Sequence, residues 1–197
     1  LISGRSPFCE TLFDNAIARA DDIIGGVDQG WTVGKRLLQF ERSTHAGINI
    51  SGSQGGRTEI SQMPQLVRLY AGSDKLADGR PGRIGDPALR AWLIQHEMNT
   101  HAQTMMQRRA IEETQAHAPG FTSSAVKLTN ALNIQDGDEL LMAAMGSQGL
   151  RWDEDTADES ELEALRGWLY RKSLTIAGGT KEVQLNIIAK RVLGLPD

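Results

Sequence analysis

Between Pro87 and His117 the chain runs without an interior glycine or proline, and Asp86-Pro87 opens the run with an N-cap residue followed by a proline at the first helical position. A helix over that stretch is about 45 Å long at 1.5 Å rise per residue. An element of that length has to bury its apolar stripe against other long helices, so the pattern predicts a bundle. The rest of the sequence from Gly30 onward agrees. Trp31, Leu37, Leu38, Phe40, Ala46, Ile48 and Ile50 recur at helical spacing until Gly52-Ser53-Gln54-Gly55-Gly56 stops them. Met63, Leu66, Val67, Leu69 and Tyr70 outline a second helix that ends near Gly72. After Pro119-Gly120, with Thr122 or Ser123 as cap, apolar positions between Ala125 and Ala144 carry another helix to Gly146, with a bend expected over residues 133–138. A short helix through Leu162, Leu165, Trp168 and Leu169 follows the acidic loop at 153–159, and a last helix starts after Gly178-Gly179-Thr180 and runs to Gly194. The expected fold class is all-α: an antiparallel helical bundle of five or six helices over residues 28–197.

Residues 1–27 read differently. Phe8-Cys9-Glu10-Thr11-Leu12-Phe13 is β-prone, and Gly4, Pro7, Gly25 and Gly26 punctuate the segment, which predicts one or two strands. A lone strand or hairpin is marginal in water, so these strands are expected to be a remnant of a sheet whose other members lie outside this sequence. The chain opens on Leu1 in mid-pattern, which reads as a portion of a longer protein. Charge narrows the partners. With 21 basic and 25 acidic residues the net charge is -4, too weak a field to draw nucleic acid or an anionic membrane. No apolar run reaches membrane-spanning length. The single Cys9 can form neither an intramolecular disulfide nor a cysteine zinc site, which suits a reducing cytoplasm. A cytoplasmic protein that meets neither nucleic acid nor membrane is therefore expected.

Several residue groups invite a functional reading. His96 and His101 are five apart, not the four that puts two metal ligands on one helical face; five residues turn a helix by about 500°, leaving the rings roughly 140° apart. No metal site is expected there. Met98, Met105 and Met106 read as core filler, and Arg108-Arg109 with Glu112-Glu113 as a solvated face of i to i+4 ion pairs. Gly178-Gly179-Thr180 before a helix is either an ordinary Thr180 cap or a cradle for an anionic group, because helix N-termini expose N–H groups and glycines let a ligand come close.

The C-terminal run T-I-A-G-G-T-K-E-V-Q-L-N-I-I-A-K-R-V-L-G-L-P over residues 175–196 closely resembles the terminal signature of the acyl-CoA dehydrogenase family, in particular its bacterial members with Gly-Gly-Thr in the motif. Residues 13–42, with Gly30-Trp31 and Phe40-Glu41-Arg42, resemble the same family, as do residues 120–128, with Ser124 and Lys127-Leu128. The likeness thus spans nearly the whole chain. It implies that residues 1–27 are the end of a middle β domain and residues 28–197 the C-terminal helical bundle. It implies an FAD enzyme that oxidises an acyl-CoA thioester to a 2-enoyl-CoA, removing the α-proton with a carboxylate while the β-hydrogen leaves as hydride to the flavin. Electron-transfer flavoprotein is the expected acceptor and a homo-oligomer, dimer or tetramer, the expected assembly.

The resemblance also assigns residues. Many members carry the catalytic Glu directly before the Gly-Thr of the terminal motif, where this chain has Gly178, while others carry the base on the first long bundle helix just before an Arg, where this chain has Glu41-Arg42. Glu41 is thus the expected base, with Arg42 assisting substrate placement, and Gly179, Thr180 and Glu182 the expected flavin contacts. The Arg-x-x-Phe-Gly motif common after the second helix is missing from residues 63–83, and Ala143 stands where a Gln would precede the turn Gly146-Ser147-Gln148-Gly149. The alternative reading is a non-catalytic structural or partner subunit of a hetero-oligomeric enzyme. Either way the chain by itself is expected to hold no FAD and to be inactive.

Overall fold

Six α-helices follow one another in a computed structural model that describes residues 1–45, 61–116, 122–152, 155 and 157–196. They are α1 (Gly30–His45), α2 (Met63–Ala71), α3 (Pro87–Gln115), α4 (Thr122–Met145), α5 (Glu159–Arg171) and α6 (Lys181–Ile187). Local chemistry sets their limits. Asp86 Oδ1 accepts from the N–H groups of Ala88 at 2.8 Å and Leu89 at 3.0 Å, the cap that Asp86-Pro87 promises. Asp158 caps α5 by accepting from Ser160, and Thr180 caps α6 by accepting from Val183. Gly72, at φ 72°, closes α2. The final helix does not run uniformly to Gly194; α6 passes into one turn of π-helix, Ile188–Val192. The first helix, expected to reach Gly52, is described as far as His45, and residues 46–60 lie outside the described residues.

The α3–α4 hairpin is the frame. Leu93 and Leu140 share an apolar cluster with Val67, Ile84, Leu89 and Ala144, while Ala110 and Val126 form a second cluster with Met106 and Ile111 packed on it. Those pairings run in opposite directions along the two helices, as an antiparallel pair requires. Between the clusters the seam is polar. Trp92 Nε1 donates to Asp136 Oδ1 at 2.8 Å, His96 Nδ1 lies 2.9 Å from Asp136 Oδ2, Asn133 donates to Thr100 Oγ1 at 2.9 Å, and Thr129 donates to Gln103 Oε1 at 2.6 Å. Each of these side chains thus finds a partner across the interface, which is what makes a polar seam tolerable between two apolar ends, although Asn133 Oδ1 is itself buried without one. Gly137 lets the helices close: a Cβ there would sit 2.8 Å from His96 Cε1. The bend expected over 133–138 does not interrupt α4. Its polar side chains are engaged by α3 and α5 instead of by α4's own backbone.

Every other helix packs against α4. The α4–α5 contact is held by a fork: Arg171 donates to Asp138 through Nε at 2.7 Å and Nη2 at 2.6 Å. Beside it Trp168 Nε1 donates to Glu139 at 3.0 Å, and Lys172 pairs with the same carboxylate. These donors hold the Glu139 carboxyl below the usual carboxylate range, the Lys172 bond contributing most.

The strands expected in residues 1–27 are not formed. That segment carries one 3₁₀ turn, Ala20–Asp22, and the β-prone residues Phe8, Leu12 and Phe13 are exposed. β propensity needs a neighbouring strand to bond with, and among the described residues no strand stands beside it. What anchors its start is the bundle: Ser3 is buried, Gly4 abuts the Trp152 ring, and Arg5 pairs with Glu163 of α5. No helix among the described residues is long and apolar enough to cross a membrane.

Candidate functional site

The turn that leads into α6 is fixed by its backbone and by side chains around it. Gly178 and Gly179 sit at φ 66° and 104°, a region that side-chain-bearing residues rarely adopt. Thr180 then turns to φ -63°, ψ 165° and its Oγ1 accepts from the Val183 N–H at 3.3 Å. Glu182, in the first helical turn, has its carboxyl held below the ordinary range by its own backbone N–H and by the Thr180 hydroxyl. Thr180 is therefore an N-cap, as one of the two sequence readings has it.

Two buried side chains grip this turn from within the bundle. Lys127 of α4 is 3% exposed, and its Nζ donates to Gly179 O at 2.5 Å and Leu174 O at 3.3 Å. Burial pushes its ammonium below the usual lysine range. Gln184 of α6 is 0% exposed; its Nε2 donates to Gly178 O at 2.9 Å, while its Oε1 is buried without a partner. A Cβ on residue 179 would lie 2.7 Å from Gln184 Nε2, so glycine there is a packing requirement as well as a conformational one. Gln135 of α4 adds bonds to Arg171 O at 2.9 Å and Lys172 O at 3.2 Å, fixing the chain that enters the turn.

Gly179, Thr180 and Glu182 thus form one structural unit. Glu41 belongs to another. It lies exposed on α1, a helix whose Trp31 and Leu37 are also exposed, and α1 shares with α6 the support of α4. The Arg42 side chain lies outside the described residues. Gly146-Ser147-Gln148-Gly149 forms a 3₁₀ turn, Gly146–Leu150, in which Gly149 packs against Met145 and Met142.

Elsewhere the structure sorts the remaining motifs. His96 is buried toward Asp136 and His101 is exposed, so the two rings occupy different faces of α3. Among the described residues no group of three His, Cys, Asp or Glu is placed to hold a metal ion. Arg108 and Arg109 bond Glu112 and Glu113 at 3.0 Å each. Met98 and Met105 correct the expectation of core filler: of the three α3 methionines Met106 packs against a cluster, whereas Met98 is 61% and Met105 48% exposed, because they fall off the stripe that α3 turns toward α4. The Lys127 and Gln184 grips were not read from the sequence. The available signal was a Lys and a Gln on apolar helical faces, each occupying a position that periodicity assigns to the interior.

A family model described as acyl-CoA dehydrogenase, C-terminal domain, matches residues 28–193. The chain is 33% identical over 196 residues to the acyl-CoA dehydrogenase IpdE1 of Mycobacterium tuberculosis, an alignment covering 99% of this chain and 46% of that protein. It is 31% identical over 195 residues to IpdE1 of Mycolicibacterium smegmatis, covering 99% and 44%, and 30% identical over 196 residues to the acyl-CoA dehydrogenase FadE34 of Mycobacterium tuberculosis, covering 99% and 24%. The chain therefore spans less than half the length of the curated relatives it matches.

Proposed function

The chain belongs to the acyl-CoA dehydrogenase family, and from that premise we propose that it is the C-terminal bundle, residues 28–197, with the end of a middle β domain, residues 1–27, of an FAD-dependent enzyme that oxidises an acyl-CoA thioester to a 2-enoyl-CoA. The observation that carries this reading is the gripped turn at residues 178–180: the terminal motif folds as one fixed unit whose two glycines present bare backbone. Bare backbone with carbonyls tied inward fits the close approach of a flavin better than a wall of side chains would. Gly179, Thr180 and Glu182 would hold the flavin, which would supply a hydride acceptor for the β-hydrogen.

The chain's own residues do the rest. Glu41 takes the α-proton, a task that needs a carboxylate whose pKa is raised toward neutrality by a water-poor pocket. Glu41 is exposed here, so the cover has to come from the acyl-CoA and from other parts of the protein. Arg42 assists in placing the substrate. Gly179, Thr180 and Glu182 meet the cofactor. Exposed Phe13, Trp31 and Leu37 fit surfaces that a neighbouring domain or subunit covers in a homo-oligomer. Electrons pass to electron-transfer flavoprotein, and the setting is cytoplasmic.

The test is the visible absorption of the full-length protein, with and without acyl-CoA under anaerobic conditions. A yellow protein with about one flavin per chain that bleaches on adding acyl-CoA supports the reading. A colourless protein that oxidises no acyl-CoA contradicts it, and the non-catalytic subunit reading then replaces it.

A further inference from the structure

We propose that Lys127 is a positioning residue for the cofactor-facing turn: its buried ammonium, bonded to the carbonyl oxygens of Gly179 and Leu174, sets the conformation in which residues 178–180 meet the flavin. The proposal rests on the functional reading above for the cofactor and on the structure for the clamp.

Lysine is almost never fully buried unless paired, and moving a bare ammonium out of water is costly. At 3% exposure Lys127 has, among the described residues, no carboxylate beside it; both of its bonds go to main-chain carbonyls. A methionine would fill the same volume without that cost, so what the ammonium supplies is the pair of bonds. They are placed to matter. Leu174 belongs to the 3₁₀ turn Lys172–Thr175 that ends α5, and Gly179 belongs to the turn that begins α6, so one group on α4 pins both ends of the connection. Gly178 and Gly179 have no side chains with which to hold themselves at positive φ, and glycine left to itself samples many conformations. Gln184 fixes Gly178 O from the α6 side; Lys127 fixes Gly179 O from the α4 side.

Peptide planarity makes the consequence directional. In a trans peptide the C=O of one residue and the N–H of the next point opposite ways. With Gly179 O drawn 2.5 Å from Lys127 Nζ, the Thr180 N–H is aimed away from α4. Lys127 therefore decides which edge of the turn faces outward, while making no contact with the reacting atoms itself.

Hydrogen exchange on the chain carrying Lys127→Met tests this. The expected result is amide exchange at residues 178–184 faster by about tenfold or more, the range of losing one charged hydrogen bond, with exchange in α3 and in the 137–144 part of α4 unchanged within about twofold. Unchanged exchange at 178–184, or a uniform acceleration throughout α3 and α4, overturns the proposal. A second measurement covers the case in which Lys127→Met does not fold. In the unsubstituted chain, lysine NMR should find Lys127 Nζ protons in slow exchange and coupled through hydrogen bonds to the Gly179 carbonyl, and exchange as fast as that of exposed Lys35 overturns the clamp. Flavin content of full-length Lys127→Met separates the two premises. A loosened turn with reduced flavin supports the whole proposal, whereas a loosened turn with undiminished flavin keeps the clamp and overturns the turn's part in the cofactor site.

Discussion

The turn at residues 178–180 and the Glu41 helix are two parts of one proposed site, and the chain builds them in opposite ways. The turn is gripped by Lys127 and Gln184, capped by Thr180 and backed by the Gln135 and Arg171 bonds, all from within this chain. Glu41 stands exposed on α1, the helix that also exposes Trp31 at 72% and Leu37 at 67%. A general base for a carbon acid needs water kept away, whereas a backbone cradle needs its geometry fixed. The bundle supplies the second requirement alone and leaves the first to whatever covers α1. The catalytic half of such a site is then conditional on assembly, and of the proposed cofactor half the fold fixes the turn at residues 178–180 and not the wall that would face it.

The contrast is sharpest for Glu41→Gln. In a flavin-loaded full-length protein, turnover should fall by about 10²- to 10⁴-fold with flavin content unchanged, the usual reach of a general base. In the 197-residue chain the same change should move unfolding free energy by less than about 0.5 kcal/mol, since Glu41 is exposed. A turnover within about threefold of wild type breaks the assignment of the base. Next in size is Asp138→Ala, which strands Arg171 behind the turn. The expected loss by denaturant titration is about 2–3 kcal/mol, under the value for a fully buried pair because Arg171 is 37% exposed and regains water. Gly179→Ala should cost about 1–3 kcal/mol, from φ 104° and the close Gln184 amide, and Thr180→Ala about 1 kcal/mol from the lost cap. If Gly179→Ala is as mild as a surface change, the turn is not gripped as described.

The smallest effect is in pH. Burial lowers the Lys127 pKa in the fold, so between that lowered value and the ordinary lysine value the unfolded chain binds more protons than the folded one. Stability therefore rises with pH across that interval, and below it the full cost of the buried charge is present. Denaturant titrations at several pH values should show this slope in the unsubstituted chain and lose it in Lys127→Met.

Much of the fold is legible in the residues because its punctuation is local. Asp86-Pro87 caps α3, Thr180 caps α6 and Gly72 ends α2, each through contacts within a few residues. What the sequence conceals is long-range. Lys127 meets Leu174 and Gly179 across 47 and 52 positions, and His96 meets Asp136 across 40. Periodicity tells which face is inward but names no partner. Residues 1–27 fail for the converse reason: Phe8, Leu12 and Phe13 carry strand propensity, and no ladder is there to receive it. Of the site, the terminal motif betrays the turn and its cap, and Glu41 is reached through family likeness alone, since an exposed Glu on a long helix has no local mark of function.

The claim that this chain fixes one wall of a flavin site and lacks the other is tested most directly by mixing the isolated 197 residues with FAD, separating free flavin by gel filtration and recording the visible spectrum of the protein. The account predicts a colourless chain, with all the FAD in the small-molecule fractions and no acyl-CoA oxidation. A yellow chain carrying about one flavin per molecule would contradict it.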